Sequence, residues 1–303
     1  TTRLVGSDMS IRDRYALDSL GDHTLRRPQQ LILLSPMIGV TRFARFAGVA
    51  GLPSVFPAFS KTAWLNIVPE FNPFKYNSFP VHAARQTYLL TQALQKEILQ
   101  YARNQQLSGF PPVLTFQSVM DSTVSTPSVI RSLYNYLPVN GSELVLFDIN
   151  QAVSVSPLFR HSSYTAVNQL LPAARRNYSS TVITNASATS LEMVTKSVPA
   201  GEMQERIQPL AIAYPAGLYS LSHVAIPFPA EDGLYGSAPA QKNEFGISFG
   251  TLSLRGESAV LIVGLDSIMR ATSNPFYPYM INRIDHHISC SDKPQLAACL
   301  SSF

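Results

Sequence analysis

Two residues stand where their types and surroundings suit acid–base chemistry. Asp121 lies in Gln117-Ser-Val-Met-Asp121-Ser-Thr-Val124, four residues past the apolar run Val113 to Gln117, which reads as a strand. A carboxylate just beyond a strand can accept the Nδ1 proton of a histidine, fixing its tautomer and stabilising the imidazolium formed during proton transfer. His223 lies in Tyr219-Ser-Leu-Ser-His223-Val-Ala-Ile-Pro-Phe-Pro229, at the end of another apolar run and ahead of a proline-rich loop that can hold its ring. Both residues have ordinary readings too. An Asp after a strand often caps a turn, and a lone His is usually structural or solvated, with His23, His82, His161, His286 and His287 as rivals. His161 is the closest of these, since it follows the run Leu144 to Ile149, and Asp148 in the same run is the rival carboxylate. The pair His286-His287 falls late in a helical segment with no Glu or Cys pattern for zinc beside it, so neither metal nor cofactor is expected.

A hydrolytic triad also needs a nucleophile, and the sequence contains no Gly-x-Ser-x-Gly. That motif uses glycines because the nucleophile sits in a strained turn with backbone pressed close around it. The matching region is Leu4-Val-Gly6 followed by Ser7-Asp-Met-Ser-Ile-Arg-Asp-Arg14 and Tyr15-Ala-Leu-Asp18. Counted forward from Gly6, the nucleophile position falls on Asp8 and the second glycine position on Ser10; counted back from Tyr15, it falls on Gly6. An aspartate can act as a covalent nucleophile, and Ser7 or Ser10 can act only from a distorted turn. Arg12, Asp13 and Arg14 stand where a helix facing the sheet would offer small apolar residues, and local exposure suits them better than burial.

The elements that must position these groups follow from periodicity. Leu31 to Ser35, Val113 to Gln117 and Leu144 to Ile149 are short apolar runs with few charges, as in parallel strands covered on both faces. Ala84 to Leu107 carries Tyr88, Leu94, Ile98 and Tyr101 on one helical stripe. Thr126 and Pro127 read as N-cap and first-turn proline of a second helix with Val129, Leu133 and Leu137. Strand, helix, strand, helix, strand predicts an α/β domain with a doubly wound, mostly parallel sheet. Further strands are expected at Ser180 to Thr184, Gly217 to Ala225 and Leu261 to Leu265, and a last helix over Pro275 to Ile288, within one domain spanning 1–303. Residues 37–83 form a long aromatic and Pro-rich connection, including Phe43, Phe56, Trp64 and Phe74, which reads either as packing over the sheet or as an apolar lid.

Composition narrows the function classes. A formal charge of +4, with no run of Lys or Arg beyond two, marks no nucleic-acid groove. No apolar stretch is long enough to span a bilayer, and no signal-peptide pattern opens the chain, so cytoplasmic is the default location; a targeting segment upstream of Thr1 would not be visible. Cys290 and Cys299 fit a short disulfide or two thiols equally, and Asn140, Asn177 and Asn185 begin N-x-[ST] triplets that matter only in a glycoprotein.

Leu31-Ile-Leu-Leu-Ser-Pro-Met-Ile-Gly39, the Gln117 to Asp121 loop, Leu146-Phe-Asp-Ile-Asn150, Ser220-Leu-Ser-His-Val-Ala-Ile-Pro-Phe-Pro229 with Leu234-Tyr-Gly236, and Ser273-Asn-Pro-Phe276 together resemble a bacterial α/β-hydrolase family related to lysophospholipases and monoacylglycerol lipases. The likeness runs from about Leu4 to Ile288. It implies the C-terminal part of an α/β-hydrolase domain whose earlier strands are absent, a lipid or lysophospholipid-type ester as substrate, and a Ser-Asp-His type triad. It assigns the triad acid to Asp121 and the histidine to His223 rather than His161. By the same resemblance the nucleophile position is Asp8, with Ser7 beside it, and an oxyanion-hole donor is the backbone amide of Met9. The broken elbow equally suits a non-catalytic ligand- or partner-binding homologue.

Overall fold

The computed structural model describes residues 3–7, 10–39, 63–66, 79–121, 124–152, 170–171, 173–215, 217–239, 246, 248–250, 272–291 and 299. It is an α/β domain around one seven-stranded sheet. In chain order the elements are β1 (Arg3–Ser7), α1 (Ser10–Gly21), β2 (Gln30–Leu34), β3 (Trp64–Asn66), β4 (Phe79–Pro80), α2 (Val81–Arg103), β5 (Val113–Ser118), α3 (Thr126–Ser132), β6 (Glu143–Phe147), β7 (Ser179–Asn185), β8 (Glu192–Val198), β9 (Arg206–Ala213) and α4 (Tyr277–Ser291). The large sheet runs β1-β2-β5-β6-β7-β8-β9; β1, β2, β5, β6 and β7 are parallel, β8 pairs antiparallel with β7, and β9 pairs antiparallel with β8. Strands β3 and β4 form a small antiparallel ribbon before α2.

Alternation along the parallel strands builds two cores. Leu31, Leu33, Val113, Leu144 and Leu146 turn to one face, against Leu17 of α1, Leu94 and Ile98 of α2, and Val129 and Ile130 of α3. Ile32, Leu34, Phe116, Val145 and Phe147 turn to the other, against Leu221, Ala225 and Ile226 and against Phe276 and Met280 at the start of α4. Two-sided burial is what makes these strands uniformly apolar.

Several expectations shift. The antiparallel pair β8 and β9 was not foreseen, and the expected strand at Gly217 to Ala225 is a loop that enters turns at His223. Its side chains are apolar because they cover the sheet's second face, not because they pair in it. The cap of α3 is Ser125, whose side chain accepts the Ser128 amide, while Thr126 donates its hydroxyl to the Ser118 carbonyl at 2.7 Å. Gly39 is required beside that cap: a Cβ there would stand 2.4 Å from the Ser128 Cβ. Asp13 is buried rather than exposed, whereas Arg14 stays half in water and joins α1 to α2 through Glu97 at 3.1 Å. The expected strand at 261–265 and most of the 37–83 connection, including Phe43, Phe56 and Phe74, lie outside the described residues; Trp64 is on β3 and exposed. No helix among the described residues is long and apolar enough to cross a membrane. Asn140, Asn177 and Asn185 all spend their amides on main-chain bonds, to Phe110, Leu137 and Ser190.

A buried charge cluster anchors α4. Glu143, the first residue of β6, receives Arg283 Nε at 2.9 Å, His287 Nε2 at 2.8 Å and the Thr181 hydroxyl at 3.0 Å; Gln30 of β2 meets the other nitrogen of His287 at 3.0 Å. Burial alone would raise the carboxyl pKa, but the His287 bond and the Arg283 charge outweigh it and hold the group at about 2. Because the folded value lies below the unfolded one, the stabilisation is full above pH 4.5 and drains away as pH falls towards 2. It amounts to about 3 kcal/mol. Glu143→Gln should therefore cost about 3 kcal/mol at pH 7 in urea unfolding, leaving the Arg283 guanidinium facing a neutral amide. It should also flatten the acid limb of stability between pH 4.5 and 2; an unchanged acid limb would remove Glu143 as its source.

Candidate functional site

Parallel strands buried on both faces leave only their ends free for polar chemistry, and open α/β sheets place ligands at the carboxyl ends. Asp121 stands there, three residues beyond the last residue of β5, and His223 comes from the loop after β9. Their closest approach is 3.6 Å, from His223 Nδ1 to Asp121 Oδ1, with the Asp side chain fully buried and the His side chain 12% exposed. That distance is just beyond a formed hydrogen bond. Catalytic contacts are often long in an unliganded site and shorten with substrate bound.

The Asp121 carboxylate is held from its own side of the sheet. The Val124 amide donates to Oδ1 at 2.8 Å, and Gln117 Nε2, from within β5, donates to Oδ2 at 3.4 Å. Gln117 also donates to the Val124 carbonyl at 3.3 Å, closing the turn. The turn-capping role and a role towards His223 are thus compatible: the oxygen that accepts from Val124 also faces the ring.

The loop bearing His223 is fastened at both ends by asparagines. Asn150, just past β6, donates its amide N–H to the Tyr219 carbonyl at 2.7 Å and its side-chain amide to the Leu218 carbonyl at 3.2 Å. Asn274 donates its backbone N–H to the Phe228 carbonyl at 2.7 Å and its side chain to the Ile226 carbonyl at 3.2 Å, while its Oδ1 accepts the Phe276 amide. The Tyr214 hydroxyl, buried against Phe276, reaches the Asp148 carbonyl at 3.2 Å and the Tyr219 carbonyl at 3.4 Å. Asn150 and Asn274 hold this loop; their part was not evident in the sequence, although they lie in the Leu146 to Asn150 and Ser273 to Phe276 segments.

On β1 the Ser7 backbone ends the strand opposite Leu34 of β2, and α1 starts at Ser10. A strand ending at Ser7 and a helix starting at Ser10 are therefore in place where an elbow would lie. Asp8 and Met9 lie outside the described residues, as does His161. At the neighbouring carboxyl end of β2, Ser35 holds φ at 46°, the left-handed region that a non-glycine residue enters only under local strain.

The rival carboxylate, Asp148, is spent differently. Its oxygens accept the Thr184 hydroxyl at 2.8 Å, the Gln151 amide at 2.5 Å and the Ile149 N–H at 2.8 Å, none of them a histidine. Burial, only partly offset by these bonds and by Lys196, pushes its pKa up to about 6. A cavity of about 630 Å³ opens beside it, lined by Gln151, Arg176, Thr184, Lys196 and Glu202, and the described lining includes neither Asp121 nor His223. This hollow thus sits one strand away from the Asp–His pair, and the pair's geometry is the better guide to chemistry than the hollow's size.

The expectation of no zinc pattern around His286 is altered by α4. His286 and Cys290 lie one helical turn apart, and Cys299 closes on them in a disulfide to Cys290, which settles the open question of the two thiols. Partial burial, then the Arg283 charge, holds the His286 pKa below that of a free imidazole.

No family model, curated protein or solved structure matches this chain.

The sign of the Asp148 shift gives a test. A carboxyl raised from 3.8 to about 6 contributes stability that is complete below pH 3.8 and lost as pH rises through 6. Asp148→Asn should remove that decline, leaving the variant at least as stable as wild type at pH 8 in thermal unfolding. A decline of the same size in the variant would exclude Asp148 as the titrating group.

Proposed function

We propose that this chain is an α/β-hydrolase homologue whose Asp121 and His223 serve hydrolysis of a carboxylic ester of the lipid or lysophospholipid type. The observation that carries the reading is the approach of His223 Nδ1 to Asp121 Oδ1, 3.6 Å apart, at the carboxyl edge of a mostly parallel sheet. The resemblance of the His223 and Ser273-Asn-Pro-Phe276 segments supports it, because the second is bonded to the loop of the first. In this reading Asp121 accepts the Nδ1 proton, which leaves Nε2 to take a proton from the nucleophile and later deliver it to the leaving alcohol. The nucleophile comes from the β1–α1 turn, from Ser7 or from Asp8, and the Met9 amide donates to the oxyanion.

A second reading, a non-catalytic ligand- or partner-binding homologue, is favoured by one observation: no Gly-x-Ser-x-Gly occurs in the sequence. Fluorophosphonate labelling and short-chain aryl ester turnover of the folded chain separate the two. Catalysis predicts turnover that falls by about 10³-fold or more in His223→Ala and in Asp121→Asn, together with labelling lost in Ser7→Ala if that serine is the nucleophile. A folded chain with neither labelling nor turnover establishes the binding reading, and full turnover in His223→Ala removes that residue from the mechanism.

A further inference from the structure

We infer that His286, Cys290 and Cys299 form a thiol-gated site for a single thiophilic divalent cation such as zinc, occupied when the two cysteines are reduced and closed when they are joined. The imidazole and both sulfurs lie within 4.8 Å of one another. The chain's two cysteines are both in this cluster. Cys290 is fully buried and stands one turn beyond His286 on α4, so a rigid helix presents two of the three donors from one face.

The distances fit a tetrahedral ion. Zinc binds sulfur at about 2.3 Å and imidazole nitrogen at about 2.0–2.1 Å, which puts a nitrogen and a sulfur ligand about 3.6 Å apart. Cys290 Sγ lies 3.6 Å from His286 Nε2. Two sulfur ligands of one ion stand about 3.8 Å apart, so the bonded pair need only part by rotation of its side chains once reduced. His286 Nε2 now contacts the Cys299 carbonyl at 3.1 Å, where it can only donate. Ligation moves that proton to Nδ1 and frees Nε2 for the ion. Two thiolates and one imidazole suit zinc and its analogues rather than hard cations, and they leave a fourth position for water.

A dithiol supplies two electrons and two protons, cleaving the Cys290–Cys299 bond to two thiols and leaving as its own disulfide. The cation then displaces both thiol protons to solvent. In either state residue 299 is held to α4, by a covalent bond when oxidised and by the ion when reduced, on the helix whose Arg283 and His287 bind Glu143.

Cobalt(II) titration of the full chain tests this, after phosphine reduction without oxygen. The expected result is one cobalt per reduced chain, with tetrahedral d–d bands and thiolate-to-metal charge transfer, displaced by zinc. The oxidised chain should bind none. Cys290→Ser and Cys299→Ser should each weaken the charge-transfer band, and His286→Ala should weaken binding at least tenfold. The inference is overturned if the reduced chain takes up no cobalt, or if His286→Ala binds as wild type does. It is also overturned if reduction alone abolishes the helical circular dichroism, which would make the disulfide a structural staple only.

Discussion

A carboxylate buried at the amino end of β6 can stay charged only if a cation and hydrogen-bond donors replace its water, and Glu143 meets that demand with Arg283, His287 and Thr181. The solution fixes α4 in register with the sheet. The segment leading into α4 carries Phe276 into the aromatic stack with Phe147 and Tyr214, and Asn274 onto the loop of His223. A charge cluster at the amino ends of the strands is thus joined to a candidate site at their carboxyl ends through one helix and the three residues Asn274 to Phe276 before it.

Two carboxylates follow neighbouring strands at that opposite edge and diverge in use. Asp148 is walled in by Thr184, Gln151 and the Ile149 amide, and its burial raises its pKa. Asp121 caps the turn to Val124 with the same oxygen that faces His223. The difference lies in the neighbours: β7 covers Asp148, while the folded-over loop from β9 brings an imidazole to Asp121. Local sequence is similar at both, an aspartate just past an apolar strand.

The parallel strands were legible because burial on both faces forces uniform apolar runs, and β2, β5, β6 and β7 fall within a residue or two of where those runs lie. Strands β8 and β9 were not. Glu192 to Val198 mixes charge and hydroxyl with apolar residues, and β9 contains Pro209, which an edge strand tolerates and a central one does not. The 217–225 segment misled in the opposite direction, since a loop packed flat on a sheet is as apolar as a strand inside it.

Sequence by itself therefore determined the α/β class, the places of β2, β5, β6 and β7 along the chain, and the placement of Asp121 beyond one of them, since these depend on short-range periodicity and on what a buried strand requires. The doubly wound layout it suggested is not found among the described residues, because the parallel strands follow chain order without a reversal and α1, α2 and α3 share one face. Only the tertiary structure decided which histidine meets that aspartate, because the approach of His223 depends on tethers from Asn150 and Asn274, each far from it in the chain. It also decided that Glu143 anchors the last helix and that His286 and Cys290 converge with Cys299. Hydrogen-bond geometry and ligand convergence are properties of space rather than of spacing, and no periodicity records them.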